Sequence, residues 1–504
     1  MNFIDNFLNN ITMYRLVLYY LIALVAIATV ASFFGLLPFN GLMFLFTVSF
    51  VLIVAWLTNT IFGLIFETTT NLESVYISGL ILVLIIPPMG SFHDLGFLFW
   101  GAVWICASKF ILAVDKKHLF NPVALAVFLT SLMLGQSANW WVGNGVLFLP
   151  VLIGGLLIMR KIRRTFLVLT FIATALVGIL ISGFIKQTDL LVLMQRTLMY
   201  SPLLFLGFVM LTEPATTPPR KWGQIFYGLV VGILYNPAIH IQSLYTTPES
   251  ALLIGNLVSF FISPLSKRLV TFKQKVTLAK DTLGFIFTPN KPLAFLPGQY
   301  VEWTLSQKKQ DSRGNRRYFT IASSPTEPDI QLGVKYYPNP SQFKQALNSL
   351  SPDTKMMIGS LSGDFTLPDD QNKKLVFIAG GIGVTPFRSM IKYLIDKKEK
   401  RDIVLFYSNK TQDEIAYKEI FDQASREFGL KTIYTLSDET KLPSGWTGDK
   451  GFLTADKVKN LVPDFKERTF YLSGPHGMVA AFEKTLSQIG VPKIQIKTDY
   501  FPGF

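Results

Sequence analysis

The feature that most restricts this chain is a change of solvent partway along it. Of its 47 Lys and Arg and 33 Asp and Glu, residues 1–270 hold only 14 and 8, and residues 271–504 hold the other 33 and 25. The first stretch is built of long apolar runs, and a bilayer-spanning helix needs about 20 such residues. The second has the charge density of an ordinary soluble protein. The changeover falls at Ser266-Lys267-Arg268, after which strand-like alternation begins at Lys273-Gln-Lys-Val-Thr-Leu278. A length of 504 residues exceeds one compact core and predicts several domains. One Cys excludes a disulfide framework, a Cys-ligated zinc site and a protein-held iron–sulfur cluster. The net charge of +14 is spread over membrane loops and a mixed-charge surface, so it gives no support to nucleic-acid binding.

Apolar runs centred near residues 25, 48, 80, 103, 130, 152, 175, 206, 232 and 257 predict a polytopic membrane domain of about ten α-helices over residues 1–268. The third, sixth, eighth and tenth runs are short or polar-flanked. The first lacks a basic leader and a small-residue cleavage site, and reads as an anchor. Lys116-Lys117 follow the fourth run, Arg160-Lys-Ile-Arg-Arg164 the sixth, Arg220-Lys221 the eighth and Lys267-Arg268 the tenth. Lys186 and Arg196 are the exceptions. Basic residues collect in cytoplasmic loops, so even-numbered exits lie inside. The expectation is a multi-pass cell-membrane protein, surrounded by lipid, with its charged half in the cytoplasm beside the nicotinamide cofactors.

Residues 269–367 read as short strands broken at Pro289-Asn290, Pro297-Gly298, Asp311-Ser-Arg-Gly-Asn315 and Pro338-Asn-Pro340, a pattern that predicts a small antiparallel β-barrel. Residues 368–504 alternate strand and helix, which predicts a parallel α/β domain with ligands at the carboxyl ends of its strands. Strands are expected at Leu375–Ala379, Ile403–Tyr407, Lys431–Leu436 and Thr469–Leu472, with a helix from Gln412 to Phe428. Two strand ends are glycine-rich: Gly380-Gly-Ile-Gly-Val-Thr-Pro386 and Ser473-Gly-Pro-His-Gly-Met478. Glycines let backbone approach a pyrophosphate, and a following helix N-terminus offers it unpaired N–H groups. In the barrel half the informative run is Arg316-Arg-Tyr-Phe-Thr-Ile-Ala-Ser-Ser-Pro325. It offers an Arg for a phosphate, an aromatic for a ring face and a hydroxyl for a ring nitrogen. Pro297-Gly-Gln-Tyr300 and Gly359-Ser-Leu-Ser-Gly-Asp-Phe365 accompany it.

Together these motifs resemble the ferredoxin–NADP reductase superfamily over residues 271–504. The resemblance implies an FAD-binding barrel and a Rossmann-like NAD(P)H-binding domain. Arg317 would bind FAD phosphate, Phe319 would pack on the flavin and Thr320 would hydrogen-bond near its N5. Gly333, Val334 and Lys335 would line the FAD phosphates. Gly380, Gly381, Gly383, Thr385 and Pro386 would meet the dinucleotide, and Gly474 and Pro475 would shape the nicotinamide slot. Ser473 stands where the family often has Cys. The carboxy-terminal Phe504, or Phe501, would cover the flavin. The second strand ends Tyr407-Ser-Asn-Lys410 with no acid, and Ser408 and Lys410 could accept a 2′-phosphate. NADH and NADPH both stay open.

In the first half, Tyr76-Ile-Ser-Gly through Pro87-Pro88, Lys109, Leu119-Phe-Asn-Pro-Val-Ala124 and Phe208-Val-Met-Leu-Thr-Glu-Pro-Ala-Thr-Thr-Pro218 occur in sequence. This order resembles membrane subunits B and D of sodium-pumping NADH:quinone reductase and Rnf complexes, which hold flavins between helices and have two related halves. Glu67-Thr-Thr-Thr70 and Glu213-Pro-Ala-Thr-Thr217 are candidate corresponding points. Polar groups at membrane depth are functional candidates, here Glu67, Asn121, Pro122, Glu213 and Thr216. The stretch that bears covalent FMN in that family has no Thr in Asn139-Trp-Trp-Val-Gly-Asn-Gly-Val-Leu147. A non-covalent flavin (FMN or riboflavin) or a quinone is therefore the expectation, and Trp140 and Trp141 fit an aromatic belt. Ferric reductases and NADPH oxidases join a similar reductase module to paired haem histidines. His93, His118 and His240 are too few for that and read as interfacial side chains. The reading that follows is a transmembrane oxidoreductase passing electrons from NAD(P)H through FAD to a membrane flavin or quinone and an unidentified acceptor. The alternative is a transporter or anchor carrying a redox-sensing reductase.

Overall fold

The computed structural model describes residues 7–8, 11–66, 72–114, 117–162, 164–241, 244–262, 268–305 and 315–499. The chain forms two compact units, Met1–Ser266 and Lys267–Phe504.

The first unit is helical: α1 (Met13–Phe33), α2 (Gly41–Ile65), α3 (Leu72–Ile85), α4 (Leu95–Ile111), α5 (Pro122–Leu134), α6 (Phe148–Ile162), α7 (Thr165–Ile185), α8 (Leu190–Met199), α9 (Leu203–Met210), α10 (Lys221–Leu234) and α11 (Pro248–Ile262). A hairpin β1 (Ala113–Val114) and β2 (Lys117–His118) joins α4 to α5, and β3 (His240–Ile241) and β4 (Leu244–Tyr245) join α10 to α11. Caps fix several starts. The Asn40 carboxamide accepts the Leu42 N–H at 2.8 Å, and Asn121 caps α5 with Pro122 in its first turn.

Every predicted centre falls on a helix, but the count of ten spans is not reproduced. Among the described residues four helices are long and apolar enough to cross a membrane, or five if the pair α8–α9, bent by 52°, counts as one. Helices such as α3, α5, α10 and α11 rise only about 20 Å, against a hydrocarbon core of about 30 Å. Ordered irregular chain packs against one of these short helices. After α5 the chain turns back against the end of α3, where Trp140 N–H bonds Ile85 O at 2.9 Å and Val142 N–H bonds Leu84 O at 3.2 Å. Sequence hydropathy cannot register such a segment, because its backbone is satisfied by protein rather than by helix.

The element order repeats: four helices, a hairpin and a helix (α1–α5), then the same with α8–α9 as the third member (α6–α11). Glu213 lies between the third and fourth members of its copy. Glu67 precedes the third member of its own and lies outside the described residues. The two are thus not corresponding points in this order.

The second unit holds two six-stranded sheets. The first comprises β5 (Arg268–Ala279), β6 (Thr282–Pro289), β7 (Tyr300–Thr304), β8 (Arg316–Thr320), β9 (Ile330–Lys335) and β10 (Lys355–Ser362), antiparallel in the order β8-β7-β10-β5-β6-β9. Its two edges approach where Ala322 N–H bonds Gln331 O at 2.8 Å. Inward alternation buries Val270, Phe285, Phe287, Val301, Trp303, Leu332 and Ile358. A short helix α12 (Gln342–Asn348) covers one end.

The second sheet is parallel, order β14-β13-β12-β11-β15-β16. Its strands are β11 (Leu375–Gly380), β12 (Ile403–Asn409), β13 (Lys431–Leu436), β14 (Asp449–Lys450), β15 (Thr469–Ser473) and β16 (Ile496–Asp499), with helices α13 (Thr385–Lys397), α14 (Lys418–Phe428), α15 (Ala455–Leu461) and α16 (His476–Gln488). β11 is buried throughout, as a central parallel strand covered on both faces must be. The helix expected from Gln412 is interrupted. A single turn at Gln412–Glu414 ends, the Ala416 N–H bonds the Tyr407 hydroxyl at 3.2 Å, and Tyr417 adopts φ +59° before α14 begins.

Arg468 ties together the amino ends of three parallel strands. It forks onto Asp402 at 2.7 and 3.0 Å, bonds Asp464 at 2.7 Å through Nε, and reaches Leu375 O at 3.3 Å. The Arg468 hydrogen bond, aided by Lys374, pulls the Asp464 carboxyl down to about 2. A depressed carboxyl stabilises the fold above its unfolded value near 3.8, and loses that contribution as pH falls toward 2. With solvent contact this amounts to about 1 kcal/mol. Urea unfolding of Asp464→Asn should show that loss at pH 7 and a shallower decline in stability between pH 4 and pH 2.

Candidate functional site

Three groups of residues converge in the two units. The first is on β8, an edge strand whose partner β7 sets Phe319 opposite Val301 and Thr320 opposite Tyr300. Thr320 is buried, at 6% exposure. The Arg317 guanidinium lies 5.3 Å from the Phe343 ring and donates to Arg316 O at 2.7 Å. The Phe319 ring is 5.9 Å from the same Phe343. Phe343 sits in the first turn of α12, whose cap is the Ser341 hydroxyl. Sequence reading took Pro338-Asn-Pro340 only as a turn, and missed that it delivers a helix start beside Arg317. A Ser cap after a Pro-rich turn was the available signal.

The second group is at the carboxyl ends of β11 and β15. Pairing of Ala379 with Ser473 sets both strand ends level. A Cβ on Gly383 would lie 2.5 Å from Gly474 Cα and 2.6 Å from Ser473 O. One on Gly380 would lie 2.4 Å from Met478 Sδ and 3.2 Å from Pro475 Cδ. Only glycine lets these two loops approach so closely. Gly381, with φ +53°, opens the turn. Thr385 and Pro386 then start α13, where the first N–H groups have no helical acceptor. Ser408 pairs with Gly380 on the neighbouring strand, and Lys410 is exposed just beyond it. The Asp438 N–H bonds Lys410 O at 3.1 Å. The Thr440 hydroxyl, then Lys441 and Lys410, hold the Asp438 carboxyl below its usual range. An acid thus stands near the Ser408–Lys410 strand end, where a reading of β12 alone found none.

Gly333 joins these two groups. A Cβ there would meet the Tyr417 hydroxyl at 2.8 Å, Thr385 Cγ2 at 2.9 Å and Ile382 Cδ1 at 3.0 Å. Val334 faces the barrel core at 2% exposure. The Lys335 ammonium bonds Glu414 at 2.6 Å, so that side chain clamps β9 to the segment after β12.

The third group is in the helical unit. Glu213 follows α9, whose last five residues, Leu206–Met210, form a π-helical turn, a feature common at functional sites. One Glu213 oxygen meets His118 Nε2 at 2.9 Å; the other accepts Asn121 Nδ2 at 2.9 Å and the Thr216 hydroxyl at 3.4 Å. The Asn121 N–H donates to Asn256 Oδ1 at 2.7 Å, and Asn256 Nδ2 donates to the Tyr227 hydroxyl at 2.8 Å. Pro122, in the first turn of α5, is buried. The half-buried Lys109 bonds Ser74 O, Ser74 Oγ and Ser78 Oγ through its ammonium at 3.1, 3.0 and 3.0 Å. Of the sequence candidates, Asn121, Pro122, Glu213 and Thr216 meet here. His118, Asn256 and Tyr227 were missed as members.

Two expectations are corrected. His118 is a partner of Glu213 rather than a simple interfacial side chain. Trp140 and Trp141 are not a belt: they are buried at 5% and 9% exposure. Trp140 Nε1 donates to buried Glu249 at 3.1 Å, and Trp141 Nε1 to Val83 O and Ile86 O at 3.0 and 2.9 Å. Glu67, Phe501 and Phe504 lie outside the described residues.

Residues 106–270 match the family described as NQR2, RnfD, RnfE, and residues 377–484 match the oxidoreductase NAD-binding domain. The glycine betaine monooxygenase reductase subunit of Chromohalobacter salexigens is 29% identical over 216 residues, 42% of this chain and 57% of that protein. A flavohemoprotein of Candida albicans is 28% identical over 232 residues, 44% of this chain and 56% of that protein. NADH-cytochrome b5 reductase 1 of Ajellomyces capsulatus is 27% identical over 243 residues, 46% of this chain and 77% of that protein. This chain therefore spans little more than half the length of the first two. Among solved structures, a cytochrome P450 reductase of Amycolatopsis matches with a TM-score of 0.42 and 23% identity, over 47% of this chain and 70% of that one.

Proposed function

We propose that this chain, which joins an NQR2/RnfD/RnfE-type membrane segment to a ferredoxin-reductase-like FAD/NAD-binding half, is a membrane-bound NAD(P)H-dependent oxidoreductase. In this reading the reductase half would bind FAD as the relay from NAD(P)H, and the membrane half would hold a flavin or quinone serving an acceptor in or across the membrane. The observation that carries this reading is the meeting at Gly333. There the strand that follows the Arg317–Thr320 motif touches the glycine loop of the parallel sheet. The close approach of the two glycine-rich strand ends, where a Cβ on Gly383 would meet the Gly474 and Ser473 backbone, leaves main-chain groups bare beside the start of α13, which fits a dinucleotide.

Bound FAD supplies a two-electron acceptor able to release electrons singly. Arg317 would hold its phosphate, Phe319 would support its ring, and the Thr320 hydroxyl would hydrogen-bond the ring edge. Gly333 and Val334 contribute backbone to the phosphate wall. Gly380, Gly381 and Gly383 admit the nicotinamide pyrophosphate to the first turn of α13 at Thr385 and Pro386. Ser473, Gly474 and Pro475 would orient the nicotinamide. Ser408 and Lys410 face the adenosine ribose. The chemistry needs no general base, and these residues position and exclude water.

In the membrane half, Asn121, Glu213 and Thr216, with His118, offer donors and acceptors in an apolar surround. That chemistry suits the polar head of a non-covalent flavin or a quinone. Ten crossings remain the proposed topology, with the short helices completed by buried irregular chain. Basic residues support a cytoplasmic placement of the end bearing Glu213: Arg164 bonds Pro218 O at 2.7 Å, and the Lys221 ammonium lies 3.8 Å above the Phe166 ring.

A cofactor inventory of the purified full chain tests the proposal. FAD and a second flavin or quinone, both released by denaturation, are expected, and Arg317→Ala should lower the FAD content. Strictly one FAD with no second redox centre would refute the membrane leg, and a Soret band would favour haem instead.

A further inference from the structure

The turn after the flavin motif is latched to the helix after the glycine loop, and nothing in the hydride chemistry itself accounts for that latch. Arg388, one turn into α13, is 7% exposed. Its guanidinium forks onto Glu327, with Nη2 bonded to Oε1 at 2.9 Å and Nη1 to Oε2. Nη1 also donates to Ala322 O at 3.1 Å. Glu327 Oε2 in turn accepts the Ser324 N–H at 2.6 Å, so one carboxylate fixes both the turn and the helix. Beside it the Ser389 hydroxyl donates to Ser323 O at 2.7 Å, and Ser323 and Ser389 are fully buried. About two turns further along α13, the Thr326 hydroxyl donates to Asp396 at 2.5 Å. On the other side of Arg388 lies the Tyr417 ring, 5.7 Å from the guanidinium, and the Tyr417 hydroxyl faces Gly333.

Counting along the chain shows why this matters. Ser323 is three residues beyond Thr320, and Arg388 is three beyond Thr385. The latch is thus a short covalent and hydrogen-bonded link between the hydroxyl assigned to the flavin edge and the loop assigned to the nicotinamide. A fork between planar guanidinium and carboxylate fixes angle as well as distance, which a Lys cannot do. Hydride transfer demands that geometry, because a displacement of about 1 Å costs roughly a hundredfold in rate.

We propose that Glu327 and Arg388 are positioning residues, an interdomain latch that sets the approach of the nicotinamide to the flavin. The proposal rests on the function assigned above. Its test uses the full chain in detergent, with Glu327→Gln and Arg388→Lys as separate variants. Stopped-flow reduction by NAD(P)H gives the limiting rate and the nucleotide affinity, and the long-wavelength charge-transfer absorbance reports ring stacking. The expected result is a limiting rate lower by about tenfold or more, a weakened charge-transfer band, and unchanged FAD content, nucleotide affinity and reduction by dithionite. A merely structural ion pair would lower FAD content and thermal stability together and leave the rate per bound FAD unchanged; that result overturns the proposal. Should Arg388→Lys fail to fold, Glu327→Gln decides, since its carbonyl oxygen still accepts the Ser324 N–H. A wild-type chain that binds no FAD, or whose FAD is not reduced by either nucleotide, refutes the assigned function instead.

Discussion

Replacing Gly383 with Val is expected to abolish reduction by nicotinamide nucleotides while leaving FAD bound. A Cβ at this position would stand 2.5 Å from Gly474 Cα, 2.6 Å from the Gly474 nitrogen and 2.6 Å from Ser473 O. All three are backbone atoms at and just past the end of β15, so no side-chain rotation relieves the clash. The loops must part, and the cradle proposed for the pyrophosphate and nicotinamide parts with them. The FAD assignments on β8 and β9 lie on other elements and should survive. The expected signature is a fall in kcat/KM for NAD(P)H of at least about a hundredfold, with flavin content and dithionite reduction preserved. Gly477 supplies the control: it lies in the same glycine-rich run, in the first turn of α16, yet a Cβ there would meet nothing within 4 Å. Gly477→Ala should leave reduction by NAD(P)H intact. Equal rates in Gly383→Val and the wild type would remove the nucleotide site from these loops.

The contrast between Gly383 and Gly477 also marks how far the sequence could be read. Glycine-rich runs after apolar strands announce where backbone can approach a ligand, because strand periodicity and glycine freedom are local properties. They do not say which glycine is indispensable; that depends on Gly474, 91 positions away and brought near only by β11–β15 pairing. The same divide runs through the membrane half. Asn121-Pro122 was legible as a helix start, since a cap and a first-turn Pro are neighbours in sequence. The Asn121 partners Glu213 and Asn256 are 92 and 135 positions away. Trp140 and Trp141 were misread because an aromatic belt and a buried indole have the same composition. What separates them is an acceptor, supplied here by Glu249, Val83 and Ile86. The number of spans is not legible in composition for a related reason. Hydropathy counts apolar residues, and α3, α5, α10 and α11 are apolar without being long.

Glu213→Ala is expected to separate the two legs of electron flow. Among the described residues Glu213 is the point where His118, Asn121 and Thr216 meet, and the Asn121 side chain is only 3% exposed. Without the carboxylate, Asn121 Nδ2 keeps only Met210 O at 3.5 Å, a distance too long for a good bond. An unsatisfied buried donor costs about 1–3 kcal/mol, so some loss of thermal stability is expected. Glu213→Gln restores an acceptor of the same size and isolates the charge. If Glu213 serves only to cap the network, Gln should behave as wild type. If the carboxylate also handles a proton at the membrane redox site, Gln should fail with Ala, by on the order of a hundredfold in the rate of transfer to a membrane acceptor. In both variants NAD(P)H-dependent reduction of ferricyanide, a soluble acceptor that can take electrons directly from FAD, should be unchanged. The function proposed for the membrane half requires Glu213→Ala to lose transfer to the membrane acceptor, and the Gln variant decides whether the carboxylate's charge or only its acceptor oxygen is needed. Loss of both activities together would make Glu213 a folding residue, and wild-type rates in both assays would leave the membrane helices as an anchor for a self-sufficient reductase.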